Sequence, residues 1–121
     1  MISYVTLGTN DLERALEFYD ALLAELDGKR MYEVPEGQLY AFGQGALLGV
    51  LRPADGKAAT NGNGTMVALK VASPERVDEI YAKAIDLGAA DEGPPGPRGE
   101  RGFYAGYFRD LDRNKLCVYH M

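Results

Sequence analysis

The sequence predicts an α+β fold built from two similar modules, each a strand, a helix and further strands. Three observations predict it. A β-branched opening run leads into an amphipathic helical pattern and then into three short strand-like runs. The same order restarts about 62 residues later. Between the two lies one long connector, Pro53–Gly64, rich in Gly, Ala and Asn, as suits a linker. The pattern repeats although the residues do not, which suggests a duplicated module whose sheets join into one surface. The helices would then cover one face and leave the other available.

Ile2–Gly8 reads as the first strand. Asn10-Asp11-Leu12-Glu13 resembles a capping box, with Asn10 accepting from the first turn and Glu13 reaching back. Leu12, Leu16, Tyr19, Leu23 and Leu26 recur at helical spacing, which predicts a helix over Asp11–Leu26 that ends at Asp27-Gly28. Lys29–Val34, Gln38–Gly43 and Ala46–Arg52 read as strands separated by short turns. In the second module Thr65–Ala72 alternates as a strand. Ser73-Pro74-Glu75 starts a helix, with Ser as cap and Pro in the first turn. Val77, Ile80, Tyr81, Ala84 and Leu87 give its apolar face, and Gly88 stands where a left-handed residue closes a helix. Ala89–Gly102 reads as a Gly- and Pro-dominated loop with at most a short strand at its start. Phe103–Arg109 and Asn114–His120 form a closing hairpin.

Composition excludes several classes of function. The 121-residue chain is 46% hydrophobic and 26% charged, as a globular domain of one core or two small halves should be. Its net charge of −5 and pI near 4.8 argue against nucleic acid, whose affinity comes mainly from Lys and Arg on phosphates. No basic run marks a membrane surface, and no apolar stretch approaches the roughly 20 residues of a membrane span. The single cysteine, Cys117, allows no intrachain disulfide. With no signal-peptide pattern at the start, a lone thiol fits a reducing compartment, and the expected location is cytoplasmic.

Three stretches carry a family resemblance. They are Ile2–Gly8 with Asn10–Ala15 and Phe18-Tyr19, Gly62–Ala68, and Phe108-Arg109-Asp110-Leu111-Asp112-Arg113-Asn114-Lys115-Leu116. The Gly93–Arg98 segment resembles a loop of one glyoxalase-like subgroup. In order and spacing the chain resembles the vicinal oxygen chelate superfamily of glyoxalase I, bleomycin-resistance proteins and extradiol dioxygenases. The resemblance implies paired βαβββ modules forming a cupped mixed sheet with helices on the outer face. It also implies a homodimer and, in the enzymes, a divalent metal in the cup. The closing turn usually runs Asp-Pro-Asp-Gly-Asn, so Arg113 stands where Gly is usual.

The metal positions of that family fall on unsuitable residues. The first His falls at Tyr4, the second-module His at Met66 and the closing-strand Glu at Cys117. The remaining ligand falls within Leu47–Leu51, which contains no His, Asp or Glu. The chain has one His, and His120 stands three residues from Cys117, on the opposite face of the same strand. A transition-metal site wants three or four converging donors. A site of carboxylates alone would need Glu33, Glu36 or residues of a second chain. No metal or other cofactor is therefore expected.

Strand alternation predicts what lines the cup instead. With Val5 and Leu7 facing a helix, Tyr4 and Thr6 face the open side. By the same rule Met66, Ala68 and Lys70 face it, as do Cys117 and Tyr119. Such a lining suits an apolar or aromatic small molecule with a polar handle, for which Lys70 is a candidate. Arg98 and Arg101 are candidates for gating the cup or meeting an anionic ligand, against the plainer reading of solvated loop arginines. Tyr4, Met66 and Tyr119 read equally well as core of a collapsed cup. Cys117 reads better as an inert small hydrophobe than as a nucleophile, and His120 as a packing residue. The leading expectation is a metal-free, glyoxalase-like binding protein for a small organic molecule, with drug sequestration as one version; an acidic protein suits a cationic drug. The alternatives are a lyase or dioxygenase with an unconventional metal site, and a scaffold dimer with a filled cup.

Overall fold

A computed structural model describes all residues, Met1–Met121. The chain divides into two units, Met1–Thr60 and Asn61–Met121.

In the first unit, β1 (Tyr4–Gly8) leads through α1 (Leu12–Ala24) to β2 (Lys29–Val34), β3 (Gly37–Ala41) and β4 (Leu47–Leu51). These strands form a four-stranded sheet in the order β1-β4-β3-β2, with β1 parallel to β4 and the other pairs antiparallel. The helix packs on one face. Its buried side chains are Ala15, Phe18, Tyr19, Leu22 and Leu23, which meet Leu7, Tyr40, Leu48 and Val50 of the sheet in the core. Each large apolar side chain buried this way contributes about 1.5–3 kcal/mol. Leu12, Leu16 and Leu26 of the expected stripe are only half-buried. The apolar arc of this helix is wider than one stripe, and packing centres it on Phe18 and Leu22.

The expected capping box is not formed. Asp11 is the N-cap, and its carboxylate accepts from the Arg14 amide at 3.2 Å. Asn10 turns instead to the connector, donating to the Ala59 carbonyl at 3.0 Å and accepting from the Ala59 amide at 2.7 Å. A carboxamide has both a donor and an acceptor, so it can pair with a backbone as another strand would. The connector is thus held at Ala59. At its far end α1 closes as the Asp27-Gly28 pair predicts. Asp27 adopts the left-handed conformation (φ 57°), and a Cβ on Gly28 would stand 2.8 Å from the Leu23 carbonyl oxygen.

The second unit repeats the plan with β5 (Val67–Lys70), α2 (Pro74–Asp86), β6 (Ala90–Pro97), β7 (Tyr104–Arg109) and β8 (Lys115–His120). Its sheet order is β5-β8-β7-β6, again with one parallel pair, β5 with β8. Ser73 caps α2 by accepting from the Arg76 amide, Pro74 opens it, and Gly88 follows it with φ 105°. Val77, Ile80 and Ala84 are buried in the core with Phe108, Leu116 and Val118. His120 faces the helix side, with Nδ1–H donating to the Val71 carbonyl at 3.0 Å.

The segment expected as a loop differs most. Ala90–Pro97 is an eight-residue strand. It lies at the sheet edge, where proline needs no outward partner, and it is interrupted by two register shifts. Only 98–103 forms a loop, closed by the Arg98 amide donating to the Phe103 carbonyl at 2.7 Å.

Tyrosine–carboxylate bonds pin each helix to its sheet. In the first unit Tyr40 donates to Asp20 at 2.7 Å, and Arg30 holds the same carboxylate through two nitrogens at 2.9 and 2.7 Å. In the second, Tyr104 donates to Asp78 at 2.7 Å and Tyr81 to Asp91 at 2.6 Å.

The closing turn is organised by Asp110. Its carboxylate accepts from the amides of Asp112 and Asn114 and from the Asn114 side chain, at 2.8–2.9 Å. Arg113 within it has φ 72°. A left-handed non-glycine residue costs roughly 1–2 kcal/mol, and the freedom of an unfolded glycine takes back about 0.5–1. Arg113→Gly should therefore stabilise the protein by about 0.5–1 kcal/mol. The carbonyl of Arg113, which accepts from Asn61 and Arg109, remains in the variant. Urea unfolding should show a higher midpoint with an unchanged slope, and an unchanged or lower midpoint would contradict the assignment of strain.

Candidate functional site

One face of each sheet is sealed by its helix, so the candidate site residues are those that alternation sends to the other face. On the first sheet Tyr4 (59% exposed) and Thr6 stand opposite Leu47 and Gly49 of β4. A Cβ on Gly49 would meet the Thr6 methyl at 3.0 Å and Leu39 at 3.6 Å, so these three residues share the open face. Tyr32, paired with Leu39, belongs to it too and is 58% exposed. Alternation applied to β2–β4 would have found Leu39 and Leu47. Tyr32 was hidden because a register shift between Arg30 and Tyr32 breaks the period.

On the second sheet Ala68 pairs with Cys117 and Lys70 with Tyr119, which brings these four residues onto one open face. Met66, just before β5, is 43% exposed. Tyr119 is half-buried and stacked on Phe103, with ring centres 5.2 Å apart. Cys117 shares this face by register but is 1% exposed. Its cross-strand partner is Tyr107, a residue that sequence reading passed over. Burial pushes the Cys117 thiol up, and this outweighs the Tyr107 hydrogen bond and the charges of Arg98 and Lys115, which pull it down. Burial together with the nearby thiol also raises the Tyr107 phenol, so at neutral pH both groups keep their protons.

Of the two expected gating arginines only Arg98 is engaged. Its guanidinium carbon lies 5.5 Å from the centre of the Tyr107 ring, and it donates to the Pro94 carbonyl at 2.6 Å. Arg101 is exposed on the loop. Lys115, also unforeseen, places its ammonium 5.5 Å from the same ring. The alternation that found Cys117 sends Lys115 and Tyr107 to the same face.

The side chains do not fit a divalent ion held as the resemblance implies. Tyr4, Met66 and Cys117 offer a phenol, a thioether and a buried protonated thiol, and β4 offers only Leu, Gly and Val. No three His, Cys, Asp or Glu side chains come together as a possible metal set. The two carboxylates considered as substitutes diverge. Glu33 bonds Gln38 and lines a cleft with Leu12 and Leu16, whereas Glu36 lines another cleft with Arg52 and Lys57.

These features define an α+β protein of paired helix-on-sheet modules, each with one open sheet face. The chain belongs to the Glyoxalase/Bleomycin resistance protein/Dioxygenase superfamily, whose family model matches residues 1–118. A glyoxalase/bleomycin resistance protein from Albidiferax ferrireducens is similar in structure and sequence. The two share 36% identity, with a TM-score of 0.88 over 100% of this chain and 98% of that one. A glyoxalase-related enzyme from Fulvimarina pelagi (20% identity, TM-score 0.81, 100% and 88% covered) shares the fold. So does a fosfomycin resistance protein from Listeria monocytogenes (19% identity, TM-score 0.75, 100% and 93% covered). No curated protein matches the sequence. No helix is long and apolar enough to cross a membrane.

The raised thiol and phenols have a thermodynamic consequence. Cys117, Tyr107, Tyr40 and Tyr81 (the last pushed up to about 12 by burial and its bond to Asp91) hold protons in the folded state that the unfolded chain releases. Their contribution to stability is full below about pH 8.5, the unfolded cysteine value, and is lost as pH rises through the folded values. The urea midpoint should accordingly hold steady from about pH 7 to 8 and fall between about pH 9 and 11. At about pH 8 the native thiol should react with Ellman's reagent at least ~100-fold more slowly than the unfolded chain. Comparable rates would show that Cys117 is accessible.

Proposed function

We propose that the protein is a receptor for a small, partly aromatic organic molecule, held without a metal ion by the open sheet faces. The observation that carries this reading is the chemistry of those faces. Phenol, thioether and hydrocarbon groups stand at the places the family resemblance assigns to metal donors. On the first unit's open face Tyr4 and Thr6 are the residues offered for ligand contact, on the second's Met66, Ala68, Lys70 and Tyr119, and Cys117, buried beside Tyr107, would act only as a wall. Aromatic and thioether groups supply large, adaptable apolar contact, while Lys70 supplies a polar handle. The superfamily's resistance proteins make sequestration of a toxic compound one version of this reading. The homodimer implied by the resemblance and a cytoplasmic location are part of the same proposal.

The test is thermal unfolding of the purified protein with a panel of neutral, cationic and anionic aromatic compounds. A ligand present at about 100 times its Kd stabilises the folded state by about 2.7 kcal/mol, a rise of several degrees. At least one class should give such a rise, and Tyr4→Ala or Met66→Ala should reduce it. A flat melting temperature across the panel would contradict the receptor reading. Turnover of a bound compound on addition of a divalent ion would replace it with the enzyme alternative.

A further inference from the structure

On the open face of the second sheet two cations converge on one phenol. Arg98 and Lys115 each stand 5.5 Å from the centre of the Tyr107 ring. Neither forms an ion pair, for the salt bridges of this unit join Arg76 to Glu79 and Arg109 to Glu92. Lys115 does exert a pull on Glu92, but that carboxylate is held by Arg109 at 2.7 Å. Arg98 uses one nitrogen on the Pro94 carbonyl and also bonds the Tyr107 hydroxyl, and its five-donor planar fork has further N–H groups for an incoming anion. An arriving anion would therefore break no existing ion pair.

The surroundings supply an apolar bed beside this charge. Arg98 also borders an open cleft of about 440 Å³, lined further by Gly99, Glu100, Arg101, Phe103 and Met121. Phe103 is stacked on Tyr119, so the cleft adjoins an aromatic pair, and Glu100 is its one acidic side chain. The chain carries a net charge of −5, yet this region gathers Arg98, Arg101 and Lys115. A local field of that sign selects anions regardless of the total. It also opposes the cationic ligand that overall charge alone would suggest.

We propose that Arg98, Tyr107 and Lys115 form an anion subsite that takes the carboxylate or phosphate group of an aromatic organic acid, whose ring lies along Phe103 and Tyr119. Arg98 presents donors to the anion's oxygens and Lys115 supplies a point charge, while Tyr107, whose hydroxyl is bonded to the Cys117 thiol, holds both cations beside its ring. The proposal rests on the receptor reading and narrows its ligand class.

The experiment is calorimetric titration of the full chain with two probes of nearly equal shape, 2-naphthoate and 2-naphthamide. The anion should bind roughly tenfold or more tightly than the amide at low ionic strength, and the preference should shrink at about 0.5 M salt. Arg98→Gln and Lys115→Gln should each weaken naphthoate binding more than naphthamide binding, and so erode the preference. Arg98→Lys should keep part of it, and Arg76→Gln, which removes only α2's own ion pair with Glu79, should keep all of it. Equal affinity for the two probes, with neither Gln variant having an effect, would overturn the anion subsite and leave the receptor reading standing. No binding of either probe, together with a flat response to the wider compound panel, would overturn both.

Discussion

Everything else in this molecule depends on one constraint: a sheet covered by a single helix has only one face to bury. In each unit the helix takes the face bearing the large aliphatic and aromatic side chains, such as Leu7, Leu48 and Val50 in the first and Phe108, Leu116 and Val118 in the second. The two-residue period of a strand then leaves the intervening side chains on the other face, whatever their chemistry. Tyrosine–carboxylate bonds fix how each helix lies, from Tyr40 to Asp20 and from Tyr104 to Asp78. Such bonds add modest energy but precise orientation, because a buried or half-buried polar group tolerates few alternative positions.

Sequence periodicity was sufficient to locate the helices and nearly all strands because their signals are local. Ser73-Pro74 starts a helix through its own cap, and Gly88 ends one through its own backbone freedom. The failures are places where a distant partner decides. Asn10 is a plausible cap until the connector offers it both a donor and an acceptor at Ala59. The segment Ala90–Pro97 has a loop's composition, and only its place at a sheet edge, beside β7, makes it a strand. The helix stripe shifted from Leu12 and Leu16 toward Phe18 and Leu22 because the sequence offers apolar residues over a broad arc and the sheet chooses among them.

The candidate site was legible to the same degree. Alternation assigned Tyr4, Thr6, Ala68, Lys70 and Tyr119 to their faces from the sequence. It also put Cys117 on the open face, but could not foresee its burial beside Tyr107, because that depends on what the neighbouring strand carries. The cationic character of that region was invisible for a related reason. Arg98 follows one strand and Lys115 begins another, and they become neighbours of one ring only when β6, β7 and β8 align. Total charge reports solubility; the ligand responds to the charges it meets.

The central claim is that these faces bind without a metal ion, and equilibrium dialysis against zinc, nickel, manganese and ferrous iron tests it most directly. The account predicts far less than one tightly held ion per chain for every metal, with no change on Tyr4→Phe or Cys117→Ser. One equivalent of any of them, retained through chelator washing and released by either substitution, would contradict it.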